Sequence, residues 1–132
     1  MRVDAAWGLE SFHPSRRVIS VVIDEDLDVR LRHHFGPDVR AETVEYRGWK
    51  QLKNGMLLQA MTDARDVDVF VTADQKLRHQ QNVASRPFAV VVLCPRRKRL
   101  PHLLELLPQV LSLLPGLRPG TVVEVSPPPP TT

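Results

Sequence analysis

Three short apolar runs are the strongest constraint on how this chain can fold. They are Val18–Ile23, Val67–Thr72 and Phe88–Leu93, and each is rich in valine or isoleucine. Continuous β-branched runs without polar alternation are typical of strands buried on both faces, as in a parallel sheet. Helical patterns separate the runs, and 132 residues suffice for one domain with a real core. We therefore predict an α/β fold with a mostly parallel sheet of about five strands between two helical layers.

The segments between and after these runs supply the remaining predicted elements. These are a short helix over Leu27–Phe35, an exposed strand over Val39–Val44, a helix over Asn54–Ala64, a leucine-rich helix from Pro101 to Leu114 and an edge strand over Val122–Val125. Asn54 is a good N-cap residue, so we expect its side chain to cap the second helix. Pro108 lies inside the leucine-rich segment, where a proline is expected to kink or split a helix.

The two ends of the chain and its single cysteine limit which broad class of protein this can be. Residues 1–17 lack periodicity and an apolar signal region, so we predict a flexible extension ahead of a domain at 18–125. Four consecutive prolines predict a disordered tail at 126–132. Cys94 is the only cysteine, which excludes a disulfide within the chain. We expect it to be a small buried residue of a protein in a reducing cytoplasm. No apolar run reaches the ~18–20 residues that a membrane span needs.

Acidic residues directly follow two of the predicted strands. Asp24 ends the first run and Asp74 comes just after the second. Because parallel strands point the same way, both carboxylates are expected at one edge of the sheet, where such folds place their ligands. Converging carboxylates suit a hard cation such as Mg²⁺ or Mn²⁺, and Glu25 and Asp26 add negative charge. The alternative is that Asp24 and Asp74 only cap the segments that follow them.

Amide and basic side chains surround the same predicted edge. After Asp74 and after the third run, the polar residues that are candidates for substrate binding are Gln75, Arg78, Gln81, Asn82, Arg96 and Arg97. Cations beside carboxylates suit a phosphodiester, because the cations hold the backbone while a metal activates water. The amides equally suit a loop fixed by its own hydrogen bonds, and a short basic run equally suits a solvated helix start. The net charge of +3 permits nucleic-acid binding without requiring it.

Three segments of the sequence carry a resemblance to a known family. They are Val21–Phe35, Asn54–Asn82 and Phe88–Leu111, and together they resemble the PIN-like domains of small bacterial proteins related to the toxins of toxin–antitoxin pairs. The similarity covers roughly residues 18–125. It implies a PIN-like α/β fold and a Mg²⁺- or Mn²⁺-dependent ribonuclease in the bacterial cytoplasm, acting on single-stranded RNA, with an antitoxin protein as a possible partner.

The resemblance assigns roles to individual positions, and the chain also departs from the family's pattern. Asp24 matches the family's first acidic position, and Asp74 matches the later acid at a strand end. Asn54 stands at the helix start that often carries an acid, where it is a candidate to contact substrate. The last acidic position has no clear match unless Asn82, Glu25 or Asp26 takes its place. The alternative function is therefore a PIN-like module that has lost catalysis and binds a partner protein or RNA.

Two further possibilities follow from the residues themselves. Acids after the first strand and after a central strand also suit a receiver-type phosphoacceptor domain. Such domains carry Thr or Ser after the next strand and Lys after the last, whereas Cys94 and Ser126 stand there in this chain. The leucine-rich segment 103–114 suits either core packing or a homodimer face.

Overall fold

The computed structural model describes residues 18–77 and 82–129. The predicted N-terminal extension at 1–17 and the last three residues of the predicted tail lie outside this range. Residues 126–129 carry no helix or strand.

Five strands form a single parallel sheet. In chain order they are β1 (Ile19–Ile23), β2 (Val39–Thr43), β3 (Val69–Thr72), β4 (Ala89–Leu93) and β5 (Val122–Val125). Their order across the sheet is β2-β1-β3-β4-β5, and every neighbouring pair is parallel. The predicted α/β class with a parallel sheet is thus confirmed. β3 and β4 are buried along their whole length, as expected for strands covered on both faces.

Helices pack on both faces of this sheet. The helices that lie wholly within the described residues are α1 (Asn54–Ala64), α2 (Leu100–Leu113) and two 3₁₀ helices at Val29–His34 and Leu114–Gly116. On one face, Val21 and Ile23 share a core with Leu31 and with Leu106 of α2. On the other face, the side chains of β1, β3 and β4 pack against Leu57, Leu58 and Met61 of α1. The structure is therefore consistent with three layers.

The strand order creates a switch point between β1 and β3. The chain moves outward from β1 to β2, then crosses back to β3 and continues the other way through β4 and β5. The connections after β1 and β3 therefore leave the sheet in opposite directions, which opens a crevice at the carboxyl ends of these strands. Ligands of open α/β sheets bind in such crevices.

Two local predictions differ from the structure or need refinement. The segment predicted as a short helix is 3₁₀ rather than α over Val29–His34, although its apolar residues Leu27, Leu31 and Phe35 are all buried as expected. Asn54 does not cap α1: Lys53 occupies the N-cap position, and no side chain bonds there. Asn54 instead has a φ of 48°, a left-handed conformation that asparagine tolerates better than most residues.

Pro108 neither ends nor splits the leucine-rich helix. α2 runs unbroken from Leu100 to Leu113. Pro108 is exposed, while Leu106, Leu107 and Val110 beside it are buried. Burial of these neighbours holds the segment on the sheet although proline removes one backbone hydrogen bond. The buried leucines of this helix therefore pack in the core, and a homodimer face formed by its other residues stays a prediction.

We expect the Pro108→Ala substitution to stabilise the protein by about 1–3 kcal/mol. Proline costs about 3 kcal/mol relative to alanine inside a helix, partly offset by its restriction of the unfolded chain. Pro101→Ala is the matched control, because Pro101 lies in the first turn of α2, where no intrahelical donor is lost. Urea unfolding of both variants measures the difference, and equal effects would contradict this account of α2.

Candidate functional site at the carboxyl edge of the sheet

Asp24 and Asp74 leave two neighbouring strands at the switch point. β1 and β3 pair in parallel with Ile23 beside Val71. The backbone N–H of Asp24 donates to the carbonyl oxygen of Val71 at 2.9 Å, so the pairing extends to the carboxylate itself. Pairing of β1 with β3 therefore produces the predicted geometry, in which the two acids converge at one edge of the sheet.

The hydroxyl of Thr72 connects the two acidic residues. It donates to Oδ2 of Asp24 at 2.6 Å and accepts from the backbone N–H of Asp74 at 3.0 Å. Thr72 is completely buried. A threonine on a buried strand has few accessible rotamers, so these bonds fix the Asp24 carboxylate relative to the start of the next loop.

Each acid also accepts a hydrogen bond from its own loop. Oδ1 of Asp24 accepts from the backbone N–H of Glu25 at 2.8 Å, and Oδ1 of Asp74 accepts from the backbone N–H of Lys76 at 3.0 Å. The capping role considered from the sequence does not fit Asp24, because its bond joins adjacent residues and Asp28 caps the 3₁₀ helix that follows. Both oxygens of Asp24 accept hydrogen bonds, whereas one oxygen of Asp74 accepts a bond from two residues further along its loop.

Burial and mutual repulsion raise the pKa values of two of these acids. Burial is the largest cause of the raised pKa of Asp24, and the hydrogen bond from Thr72 opposes it. The pKa of Asp26 is raised to about 6 by burial and by the charge of Asp24, with Lys98 opposing the shift. The Asp74 charge raises both values. Burial, more than charge repulsion, therefore disfavours the ionised form of both carboxyl groups at this edge.

A cleft of about 820 Å³ contains these acids. Its charged and amide side chains are Asp24, Glu25, Asp26, Lys53, Asn54, Asp74, Gln75, Lys76 and Lys98. Leu57, Phe70 and Leu77 add apolar lining. The cleft therefore combines carboxylates, ammonium groups and amides in a single site, as the binding of a phosphate ester with a cation requires.

The donor set has the chemistry that Mg²⁺ or Mn²⁺ prefers. Asp24, Asp26 and Asp74 offer carboxylate oxygens, and these hard cations usually keep several waters when few protein ligands are present. Within residues 18–77 and 82–129, no three or more His, Cys, Asp or Glu side chains are arranged to hold a metal ion by themselves. A cation bound by these carboxylates would keep part of its water shell.

The structure brings some of the predicted substrate-binding residues to the cleft and leaves others away from it. Asn54 and Gln75 line it, whereas Asn82 does not. Arg78 and Gln81 lie outside the described residues. Arg96 turns away from the cleft, donating to Glu105 at 3.3 Å and to the carbonyl of Pro128 at 3.4 Å.

Among the described residues, the cations that line the cleft are lysines, and neither Arg96 nor Arg97 is among them. Arg97 is not part of the lining, and only Lys98 of the basic run 96–99 reaches it. Lys53 precedes α1 and Lys76 follows Asp74 by two residues. Proximity to Asp74 is a signal for Lys76. Nothing in the local sequence distinguishes Lys98 from its basic neighbours or brings Lys53 across to β3.

A second cleft, of about 880 Å³, lies at the opposite edge of the sheet. Its lining includes Ile19, Val69 and Asp68, at the amino ends of the strands. Although it is slightly larger, its acids serve the fold: Asp68 accepts from the backbone N–H of Ser20 at 2.8 Å, and Asp63 accepts from Gln59 at 2.9 Å. We therefore place the candidate site at the carboxyl edge.

Comparisons with known proteins add no assignment. No family model, curated protein or solved structure matches the chain. Among the described residues, no helix is long and apolar enough to cross a membrane.

We expect Thr72→Val to destabilise the protein by about 1–3 kcal/mol. Valine keeps the shape but leaves a buried carboxylate oxygen and the Asp74 N–H without their partner. Thr43→Val is the control: this strand-end threonine accepts one hydrogen bond, from the backbone N–H of Tyr46 at 3.0 Å. Its loss should cost about 1 kcal/mol or less. Equal losses in urea unfolding would show that the Thr72 hydroxyl has no special role at this edge.

Proposed function

We propose that the protein is a Mg²⁺- or Mn²⁺-dependent endoribonuclease of the PIN-like type that acts on single-stranded RNA. The observation that carries the proposal is the position of Asp24 and Asp74 on neighbouring strands at the switch point, in one cleft with lysines. The resemblance of the sequence to PIN-like domains supports the choice of RNA as substrate. Action in the bacterial cytoplasm is part of the same proposal.

The acids of the cleft have the central role in this proposal. Asp24 and Asp74 would hold the cation, with Glu25 or Asp26 contributing a further oxygen. A bound Mg²⁺ or Mn²⁺ supplies a Lewis acid that lowers the pKa of water and stabilises charge on a phosphate. Thr72 orients the Asp24 carboxylate through its 2.6 Å hydrogen bond.

The amide side chains at the rim would position the substrate. Asn54 and Gln75 line the cleft next to the acids, and amide groups both donate to and accept from sugar hydroxyls and base edges. Membership of a toxin–antitoxin pair, with an antitoxin protein as partner, and homodimer formation are further proposals that rest on the family resemblance and on the leucine-rich segment.

A second candidate is a PIN-like module that binds RNA or a protein without cleaving. It is favoured by the identity of Asn54, which lines the cleft at the helix start where the family often has an acid. An amide there can contact a ligand, but it contributes no charge to hold a cation.

The strand order is also compatible with a phosphoacceptor domain. The order β2-β1-β3-β4-β5 is shared with receiver-type domains, which bind at the same β1/β3 switch point. Cys94 after β4 and Ser126 after β5 depart from the Thr or Ser and the Lys of those domains. Labelling of Asp74 by acetyl phosphate would favour this function over hydrolysis of RNA.

We expect Asp74→Asn to lower Mn²⁺-dependent cleavage of a single-stranded RNA by at least about 100-fold. This loss corresponds to about 2.7 kcal/mol of transition-state stabilisation. Asparagine keeps the side-chain oxygen that accepts from the Lys76 N–H, so the fold should persist. Asp63→Asn is the control, since Asp63 lines the cleft at the opposite edge. The measurement is single-turnover cleavage of a labelled oligonucleotide with each protein.

The same experiment separates the alternatives. Equal activity of the Asp74→Asn variant and the unaltered protein would remove Asp74 from the mechanism. Absence of cleavage by the unaltered protein, together with no heat on calorimetric titration with Mn²⁺, would favour the binding module.

A further inference from the structure

Three lysines approach the acidic cleft from three different parts of the fold. Lys53 lies at the N-cap of α1, Lys76 in the loop after β3, and Lys98 in the segment between β4 and α2. All three line the cleft that holds Asp24 and Asp74. Positive charge therefore borders the acids on several walls rather than forming one basic patch beside them.

These lysines are weakly engaged by the protein itself. Nζ of Lys98 lies 3.9 Å from Oδ2 of Asp26, a long ion pair with a lysine side chain that is 59% exposed. Exposed pairs of this kind contribute little to stability. In the part of the chain that the structure describes, no ion pair joins Lys53 or Lys76 to an acid. The ammonium groups are thus available to an added anion.

Arg47, away from the cleft, is firmly bound to acids of the protein. Its guanidinium forks between Glu42 at 3.1 Å and Asp66 at 2.7 Å. Lys50 forms an ion pair of the same length as that of Lys98, 3.9 Å to Glu45, but it does not line the cleft, so it is the matched control for the cleft lysines. Arg47 therefore stabilises the fold through its ion pairs, whereas the three cleft lysines are available to a ligand.

We propose that Lys53, Lys76 and Lys98 bind phosphates of one RNA strand, so that the cleft takes an internal stretch of a polynucleotide rather than a single nucleotide. Ammonium groups on separate walls meet phosphates on both sides of the acids, which places an internal phosphodiester at Asp24 and Asp74. This inference rests on the proposed function of the cleft and specifies its substrate as a chain with several consecutive phosphates.

The first test measures binding without cleavage. Fluorescence anisotropy of a labelled 12-nucleotide RNA of mixed sequence is recorded in EDTA at several salt concentrations, for the full chain and for Lys53→Gln, Lys76→Gln and Lys98→Gln. Each substitution should weaken binding about three- to tenfold and reduce the slope of log K against log salt by about 0.7, the value for one phosphate contact on a single strand. Lys50→Gln should change neither quantity.

The second test varies the length of the ligand. The 12-nucleotide RNA should bind at least about tenfold more tightly than a 5′-mononucleotide, because several phosphates contribute to the affinity. Equal affinities for the two ligands would overturn the proposal, as would an affinity and salt slope that none of the three lysine substitutions changes.

Two outcomes distinguish failure of the nuclease proposal from failure of the proposed phosphate contacts. Lysine-dependent binding of the 12-nucleotide RNA without any Mn²⁺-dependent cleavage would overturn the nuclease and leave the phosphate contacts standing. Cleavage that proceeds with an unchanged KM in all three lysine variants would overturn the phosphate contacts and leave the nuclease standing.

Discussion

The parallel pairing of β1 with β3 is the interaction on which the rest of the structure depends. It aligns Val21 with Val69 and Ile23 with Val71, and both strands are covered on their two faces by helices. Its last backbone bond, from the Asp24 N–H to Val71, brings a carboxylate to the edge beside Thr72. Because β1 and β3 flank the switch point, the pairing that closes the core also opens the cleft.

The cleft brings partly buried carboxyl groups and lysines together. Burial raises the pKa of Asp24, and the nearby Asp24 charge contributes to the pKa of about 6 of Asp26. Hydrogen bonds from Thr72 and from the Glu25 N–H partly offset the cost of holding Asp24 there. Lys98 approaches only to 3.9 Å. In the proposed reaction, a bound cation would balance the carboxylates and a phosphate would balance the lysines.

Most of the fold could be predicted from the sequence, because its strands are marked by composition. A run such as Phe88–Leu93 has no polar face and can only be buried on both sides, which requires helices above and below a parallel sheet. The wrong predictions arise where the local preference of a residue competes with tertiary packing. Asparagine is a good cap in isolation, yet Asn54 adopts a φ of 48° inside the first turn. Pro108 disfavours a helix locally, and burial of Leu106 and Leu107 outweighs it.

The candidate site could likewise be predicted only in part from the sequence. The sequence by itself determined that Asp24 and Asp74 share one edge, because both follow buried strands and parallel strands end on the same side. It did not determine which cations face them. That choice was made only by tertiary structure: Lys53 arrives with α1 and Lys98 with the segment after β4, whereas Arg96 bonds to Glu105. The pattern of a buried strand is a property of consecutive residues, whereas the direction of a long, exposed side chain depends on which distant partners surround it.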